Sequence, residues 1–412
     1  MNGRFRKLCS FLLVYFLVTG CTLGPKFAKK DPFSYNTSIH YSMCKQMLLN
    51  LIRLKYRETP VFLQTDSIST QYKFSSTAGG TFTLPAVSPN TYGANIQGHY
   101  TEQPTVTYVP LQGQDYLERI LSVVDLSRFF LLFESGWNIE RLLRLMVEQL
   151  GPLHNEPTLS IVSKEQMENY EKFLTLTKLW HKLQKRGDLR LFVRPRKHRI
   201  LKTSIAADSV TTNIIISANE KGYEFEKEPT GTYTLYRKED DQLIVQLRYS
   251  KEEEELAALL EVAPKQVRMD QGMILEEFSL SVFGEGEAVE RGPEGLPSVP
   301  VKLRSLADIM FYLSLGIETP KGHEEKTPTK IYRDFGGDLI AAFPAVEEML
   351  HVETSRFRPL NAYVSVKHAG YFFYIRNDNI HSKDSFALLQ LLFTLQSGNT
   401  PSKVPILTLP LN

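Results

Sequence analysis

Cys21 is the residue of this sequence whose neighbours best prepare it for chemistry. It ends the tetrapeptide Val18-Thr19-Gly20-Cys21, so a nucleophilic thiol directly follows two small residues. Upstream, residues 8–17 form an apolar run that is shorter than the roughly 20 residues a membrane-spanning helix needs. The cations that precede this run are Arg4, Arg6 and Lys7. A positive start, a short apolar core and small residues before a cleavage point are typical of a secretory signal peptide.

The tetrapeptide Val18-Thr19-Gly20-Cys21 resembles the lipobox of bacterial lipoproteins. In that family the cysteine sulfur receives a diacylglyceryl group, the signal peptide (here residues 1–20) is removed, and the new N-terminus is acylated, for example with palmitate. The resemblance implies that Cys21 anchors the mature chain in the lipid bilayer, where each buried methylene contributes about 0.8 kcal/mol. Thr22 is not the aspartate that retains many lipoproteins at the inner membrane, so the outer membrane is the expected location. Residues 21–27 are also similar to the start of the outer-membrane efflux lipoproteins.

The charge and the cysteine content of the sequence argue against a nucleic-acid-binding protein and against a fold stabilised by disulfides. The whole chain has 48 Lys and Arg against 46 Asp and Glu. Removal of residues 1–20 takes away three of the cations, which leaves the mature chain almost neutral and without a global field for nucleic acid. Cys9 leaves with the signal peptide and Cys21 carries lipid, so Cys44 has no internal disulfide partner. We therefore expect stability to come from an ordinary hydrophobic core, with Cys44 buried in it as a free thiol.

The sequence predicts no catalytic residue, no cofactor and no metal site. The nine histidines show no helical ligand spacing, and no cysteine pair accompanies them. Gly284 and Gly286 lack the third glycine of a dinucleotide-binding loop, and no P-loop occurs. Ser42 and Lys45 have Ser-x-x-Lys spacing, but the companion motifs of penicillin-recognising enzymes are missing, so helix capping by Ser42 is the preferred interpretation. These observations favour a non-enzymatic protein.

The densest basic patch of the sequence is centred near residue 196. It contains Arg194, Arg196, Lys197 and Arg199. These side chains could contact an anionic surface such as lipid headgroups, where each cation contributes about 1 kcal/mol. The alternative is a solvated loop whose cations pair with the acidic residues 252–255.

Segments of different composition follow one another along the chain and together predict an α+β fold. A lipidated tether (21–40) leads into an N-terminal helical region with an irregular β-hairpin segment (41–186). A β-rich middle region (187–284), a Gly- and Pro-rich linker (285–300) and a C-terminal α+β region (301–412) follow. Short turns join the middle strands, which favours antiparallel pairing. We therefore expect amphipathic helices packed on antiparallel sheets.

Several local predictions follow from periodicity and composition. Apolar spacing predicts a first helix from Ser42 to Tyr56, and the Gly-, Ser- and Thr-rich residues 75–114 predict a pair of irregular hairpins. The β-branched run Asn213–Ser217 predicts a strand. The expected C-terminal elements are a hairpin over 362–375, an apolar helix over 384–396 and a closing strand over 404–409.

Four blocks of sequence also resemble an uncharacterised family of bacterial envelope proteins. The blocks are residues 46–63, Gly136-Trp137, residues 305–316 and residues 373–410. The resemblance implies an envelope protein but transfers no activity or site. The leading hypothesis is a lipoprotein that binds or scaffolds other envelope components, with an envelope protein as its partner. The alternatives are an envelope hydrolase whose residues converge only in three dimensions, and an accessory subunit of a transport or secretion assembly.

Overall fold

The computed structural model describes most of the chain after residue 30. The described ranges are 31–83, 91–111, 114–155, 161–194, 199–237, 242–268, 273–282, 296–327, 332–334, 339–340 and 344–397. They contain ten α-helices and eighteen β-strands, and most strand pairs are antiparallel, so the fold is α+β as the sequence predicts. Within these ranges no helix is long and apolar enough to cross a bilayer. The predicted closing strand 404–409 lies outside them.

The N-terminal part consists mainly of helices and one very long hairpin. Its elements are α1 (Asp31–Lys55), β1 (Phe62–Thr83), β2 (Thr91–Leu111), α2 (Gln114–Leu121), α3 (Leu126–Glu134), α4 (Ile139–Met146), β3 (Val147–Leu150), β4 (Leu153–His154), β5 (Ile161–Val162) and α5 (Lys164–Arg186). The helix α5 begins at a capping box formed by Ser163 and Gln166. It ends at Gly187, whose φ of 74° is a conformation that glycine adopts without strain.

The middle part is rich in strands, as the sequence predicts. Its elements are β6 (Leu189–Arg194), β7 (Arg199–Ile205), α6 (Thr212–Glu220), β8 (Tyr223–Lys227), β9 (Tyr233–Arg237), β10 (Gln242–Arg248), α7 (Lys251–Leu259), β11 (Lys265–Arg268) and β12 (Ile274–Val282). The strands β7, β9 and β8 form a small sheet of their own, beside which α6 lies.

The C-terminal part combines short strands with three helices. Its elements are β13 (Ser298–Leu303), α8 (Leu306–Ser314), β14 (Tyr332–Asp334), β15 (Leu339–Ile340), α9 (Pro344–Met349), β16 (Glu353–Ser355), β17 (Ala362–His368), β18 (Tyr371–Arg376) and α10 (Ile380–Ser397). The predicted hairpin is β17–β18. It belongs to a three-stranded sheet in which β18 is central and antiparallel to both neighbours.

One hydrophobic core connects these parts. The main sheet has the order β4-β3-β13-β12-β10-β6, with β11 also paired to β12. The helix α5 contributes Trp180, which is fully buried and meets the ring of Phe278 in β12 edge-on, with a centroid distance of 6.5 Å. The same core continues through α8 into α10 and the sheet of β16, β18 and β17. The pair β12–β13 is parallel, unlike the predicted antiparallel pairing of the other strands.

Three local predictions are wrong. The first helix begins at Asp31, so Ser42 lies inside it and does not cap it. The described residues of 75–114 belong to one long hairpin instead of two irregular ones, because β1 and β2 pair along their length with one register shift, between Thr65 and Ser67. The predicted strand Asn213–Ser217 is the exposed helix α6, so the β-preference of its isoleucines, which depends strongly on context, does not decide the structure here.

Candidate functional site

The strands β1 and β2 form a two-stranded ribbon that we call the arm. Phe62 pairs with Leu111 at its base, and Thr83 pairs with Thr91 at its far end. Strands of 22 and 21 residues make the arm about 70 Å long. Among the described residues its sheet contains only these two strands, so each has an outer edge with which a further strand could pair.

The pairing register of the arm separates its residues into two chemical classes. On one side, pairs of apolar or aromatic residues alternate with mixed or polar pairs; the apolar pairs are Ile68 with Val106, Phe74 with Tyr100, Ala78 with Ile96 and Phe82 with Tyr92. From residue 67 onward, the pairs on the other side contain only Ser, Thr, Gln, Lys, His, Asn and Gly. Because residues two apart in a strand share a face, this pattern predicts one polar face and one mixed face. Two-stranded ribbons are only marginally stable alone, which favours contact between the arm and another molecule.

Two side-chain amides of α1 hold the base of the arm. The Nδ2 of buried Asn50 donates to the carbonyl oxygen of Val61 at 2.7 Å, and its Oδ1 accepts from the Val61 N–H at 2.9 Å. One turn earlier, Gln46 makes the equivalent pair of bonds to Leu63, at 3.1 and 2.5 Å. Residues four apart lie on the same face of a helix, so both amides of α1 face the extended backbone at the start of β1. They bond to its N–H and C=O groups as the backbone of a neighbouring strand would.

Phe62 fixes the same base by packing. Its ring lies 4.4 Å from that of Phe393 in α10 and 6.5 Å from that of Tyr116 in α2, measured between centroids. Beyond this base, β1 and β2 chiefly contact each other. The arm is therefore attached at one end to a helical core whose rigidity sets its direction.

Loss of the Asn50 amide should destabilise the attachment of the arm. Asn50→Ala leaves the N–H and C=O of Val61 without their partners, and we expect the free energy of unfolding in urea to fall by about 1–3 kcal/mol. Gln46→Ala is the matched control, because its amide lies nearer the surface where water can replace it. Equal losses from the two variants would contradict a special role for Asn50.

A cluster of aromatic and ionisable side chains lies at the C-terminal end of α1. The Oη of Tyr56 is 2.7 Å from Nδ1 of His323, and its ring meets that of His368 edge-on at 4.9 Å. Nε2 of His368 lies 3.4 Å from Oε1 of Glu58, and the rings of His323 and Tyr371 are 5.2 Å apart. The cluster joins α1 to the loop after α8 and to the turn between β17 and β18.

The electrostatics of this cluster fit a structural contact better than catalysis. Burial, together with the nearby Glu58 and Tyr371, raises the pKa of Tyr56 to about 12. The phenol is therefore protonated at neutral pH and can donate its hydrogen bond to His323. A raised pKa is the opposite of what an activated tyrosine nucleophile would need.

A second group with a shifted pKa is Glu253, in the first turn of α7. It is almost completely buried and lies beside Glu276 of β12, which accepts a hydrogen bond from Nε2 of Gln266 at 3.0 Å. Burial, and then the neighbouring Glu276 carboxyl, raises the pKa of Glu253 to about 8. The carboxyl is thus neutral at pH 7 in the folded protein and charged in the unfolded chain.

This difference should make stability depend on pH. An unfolded glutamate has a pKa of about 4.3, so the contribution of Glu253 is fully present below that value and is lost as the pH rises towards 8. We expect Glu253→Gln to raise the melting temperature at pH 8.5 and to change it little at pH 5. Glu255→Gln, on the exposed side of α7, is the control. A shift of equal size at both pH values would argue against this titration.

The basic patch predicted from the sequence is only partly described. Arg194 is the last residue of β6, and Arg199 is the first of β7, whereas Arg196 and Lys197 lie outside the described residues. The guanidinium of Arg194 lies 3.4 Å from the carboxylate of Glu277. At least one member of the patch is therefore paired with an acidic residue of the main sheet.

One of the acidic residues that could have paired with this patch, Glu252, has other partners. Glu252 binds Lys182 at 2.6 Å and Arg186 at 3.1 Å, both in α5. These hydrogen bonds lower the pKa of Glu252 to about 2. In the part of the chain that the structure describes, Glu252 therefore supports the packing of α7 on α5.

The remaining residues singled out in the sequence also have definite positions. Cys21 lies outside the described residues. Cys44 is a free thiol and 2% exposed, which confirms the predicted burial, and its Sγ accepts from Nε2 of Gln390 at 3.3 Å. Lys45 lies over the ring of Tyr41 at 4.5 Å. In the described ranges, no group of three or more His, Cys, Asp or Glu could hold a metal ion.

Sequence reasoning did not identify Gln46 and Asn50 as functional residues. The signal was the presence of two amides four residues apart in one helix, within the block 46–63. The comparisons with known proteins point to no other residue: no family model, no curated protein and no solved structure matches this chain.

Proposed function

We propose that this protein is a lipid-anchored lipoprotein of the bacterial cell envelope, held at the outer membrane through acylated Cys21. Its support is the sequence: the positive start, the short apolar run and the tetrapeptide Val18-Thr19-Gly20-Cys21 agree with one another. The folded body begins only ten residues later, at Asp31 of α1, so a short tether joins it to the anchor.

We further propose that the protein is a non-enzymatic binding or scaffolding protein that contacts another envelope protein through the arm. The observation that carries this proposal is the arm itself. It is a ribbon about 70 Å long, attached at one end, with open strand edges and several cross-strand pairs of apolar or aromatic residues. Addition of a partner strand at an open edge is a common mode of recognition, in which backbone hydrogen bonds provide much of the affinity.

An envelope hydrolase is the second candidate function. The observation in its favour is the cluster of Tyr56, His323, His368 and Glu58, in which two histidines lie next to a carboxylate and a phenol. The raised pKa of Tyr56 argues against nucleophilic chemistry at that residue. The accessory role in a transport or secretion assembly is one form of the binding proposal, with the assembly as the partner.

Site-specific crosslinking in intact cells tests the binding role. A photo-crosslinking amino acid replaces Phe74 or Tyr100 in the arm, and Ile216, which is exposed on α6, in the control. We expect discrete adducts from the arm positions and not from Ile216. A variant whose residues 67–106 are replaced by a short turn should keep its melting temperature but lose the partner. Adducts that are the same from all three positions would overturn the proposal.

A further inference from the structure

A strap of six residues, 356–361, crosses the small sheet of the C-terminal part. It connects β16 to β17, which lie on opposite sides of β18 and run in the same direction. The N–H of Phe357 donates to Oγ of Ser355 at 3.1 Å, and Arg356 lies over the ring of Tyr371 at 5.8 Å. At the other end, the N–H of Asn377 donates to the carbonyl oxygen of Asn361 at 3.2 Å. The strap is therefore held at both ends.

The strap presents its apolar side chains to solvent. Phe357 is 83% exposed and Leu360 is fully exposed, although a phenylalanine or leucine in a fixed loop is usually covered. Ile380, at the start of α10, is 67% exposed. It lies near Leu360 because Asn361, which follows Leu360, accepts a backbone hydrogen bond from Asn377, three residues before Ile380. Together with Phe33 of α1, these are the four most exposed large hydrophobic residues among those that the structure describes.

The strap itself carries two cations and no acidic residue. The acidic side chains nearest to it have partners of their own, since Glu353 and Asp378 pair with Arg376, and Glu318 accepts from the N–H of Thr354. The two cations, Arg356 and Arg358, flank Phe357 and are exposed. Exposed apolar tips between cations are typical of surfaces that enter the headgroup region of an anionic membrane.

The strap also lies on the side of the fold from which the tether comes. Tyr363 at the start of β17 contacts Cys44, and His368 at its end contacts Glu58, so β17 runs in the same direction as α1. Leu360 precedes β17 and therefore lies towards the N-terminal half of α1, on which Phe33 is exposed. The nine residues between Cys21 and Asp31 allow these two residues to be at most about 35 Å apart, which keeps the membrane close to this side.

We propose that the strap, with Ile380 beside it, is a second membrane contact that inserts Phe357 and Leu360 among the headgroups of an anionic bilayer. This inference rests on the proposed lipid anchor, which supplies the membrane. The lipid-anchored body would then be held at two points, with its orientation to the bilayer fixed.

Fluorescence quenching by brominated lipids tests the contact. The whole lipidated protein carrying Leu360→Trp is reconstituted with vesicles of phosphatidylethanolamine and phosphatidylglycerol, with or without bromine on the acyl chains. We expect the emission to shift to shorter wavelength and to be lost in the brominated vesicles. The native Trp180 is fully buried and, with Trp137, gives a background that the unsubstituted protein measures.

Leu121→Trp is the matched control. Leu121 is also exposed, but it adjoins Ser122, which binds Gln396 at the far end of α10, about 24 Å from Ile380. We expect no quenching at this position. A further variant carries Arg356→Gln and Arg358→Gln together with Leu360→Trp. Its preference for anionic over phosphatidylcholine vesicles, measured as the ratio of the two partition coefficients, should fall about tenfold.

Different results would contradict the lipid anchor and the strap contact. If Cys21→Ser binds vesicles as well as the unsubstituted protein does, the anchor is wrong. If the vesicle-bound protein shows no more quenching at Leu360→Trp than at Leu121→Trp, the strap does not contact the lipid, and its apolar residues face a protein partner or solvent.

Discussion

Cys21→Ser should abolish lipidation, so that no chain of mature mass stays with the membrane after a high-salt wash. The serine oxygen is not a substrate for the thioether-forming step that the lipobox resemblance implies, so neither the diacylglyceryl group nor the later acyl chain is added. Metabolic labelling with an alkyne fatty acid, followed by fractionation in high salt, measures both consequences. We expect no label and either an uncleaved precursor or a soluble exported chain.

Cys44→Ala provides the control for this experiment. Cys44 is the other cysteine of the mature chain and is buried, so its replacement by alanine should leave labelling and fractionation unchanged. Label that persists in Cys21→Ser, or a variant that still sediments at mature mass after the salt wash, would contradict the lipoprotein proposal. Recovery of the unsubstituted protein in purified inner-membrane vesicles would contradict only the outer-membrane location.

Leu392→Ala should cause the largest loss of stability among the variants considered. Leu392 is fully buried in α10, which packs against α2, α8 and α9 in the common core. Removing three carbon atoms from such a position leaves a cavity, and we expect the free energy of unfolding to fall by about 2–5 kcal/mol. Denaturation in urea measures the change.

A substitution at the neighbouring residue Leu391 distinguishes the effect of packing on stability from the effect of helix propensity. Leu391 lies on the same helix but is 37% exposed, so Leu391→Ala removes the same atoms from a position that is partly in water. We expect a loss of less than half that of Leu392→Ala. Similar losses at the two positions would show that α10 is not buried on the face that the structure indicates, and that it docks on a partner or a membrane instead.

Elements with strong local signals could be predicted from the sequence. Ser305 and Asp308 form a capping box at the start of α8, and the turn at Ala369 and Gly370 joins β17 to β18 with positive φ at both residues. The arm was only partly predicted, since its composition indicates strands but its single register depends on the pairing of residues up to 49 positions apart. The helix α6 was missed because its isoleucines favour a strand locally.

The attachment of the arm could not be predicted in the same way. An asparagine in an amphipathic helix usually faces solvent, and only the folded chain shows that Asn50 meets the backbone of Val61. The same holds for Tyr56, whose partner His323 is 267 residues away. Local periodicity carries no information about contacts of this range. For the strap, the sequence shows the charge but not the exposure of Leu360.

The contact between α1 and the C-terminal elements has a consequence for the order of folding. Cys44 binds Gln390 across 346 residues and lies 3.9 Å from the hydroxyl of Tyr363 across 319. A ribosome or translocon delivers the chain from its N-terminus, so α1 emerges first. Its apolar face stays uncovered until β17 and α10 have emerged, which happens only when almost the whole chain has been delivered. Such high contact order slows folding and prolongs the exposure of apolar surface. The first helix of this chain is therefore among the last to be buried, and its apolar face is a natural target for a chaperone that accompanies the nascent protein.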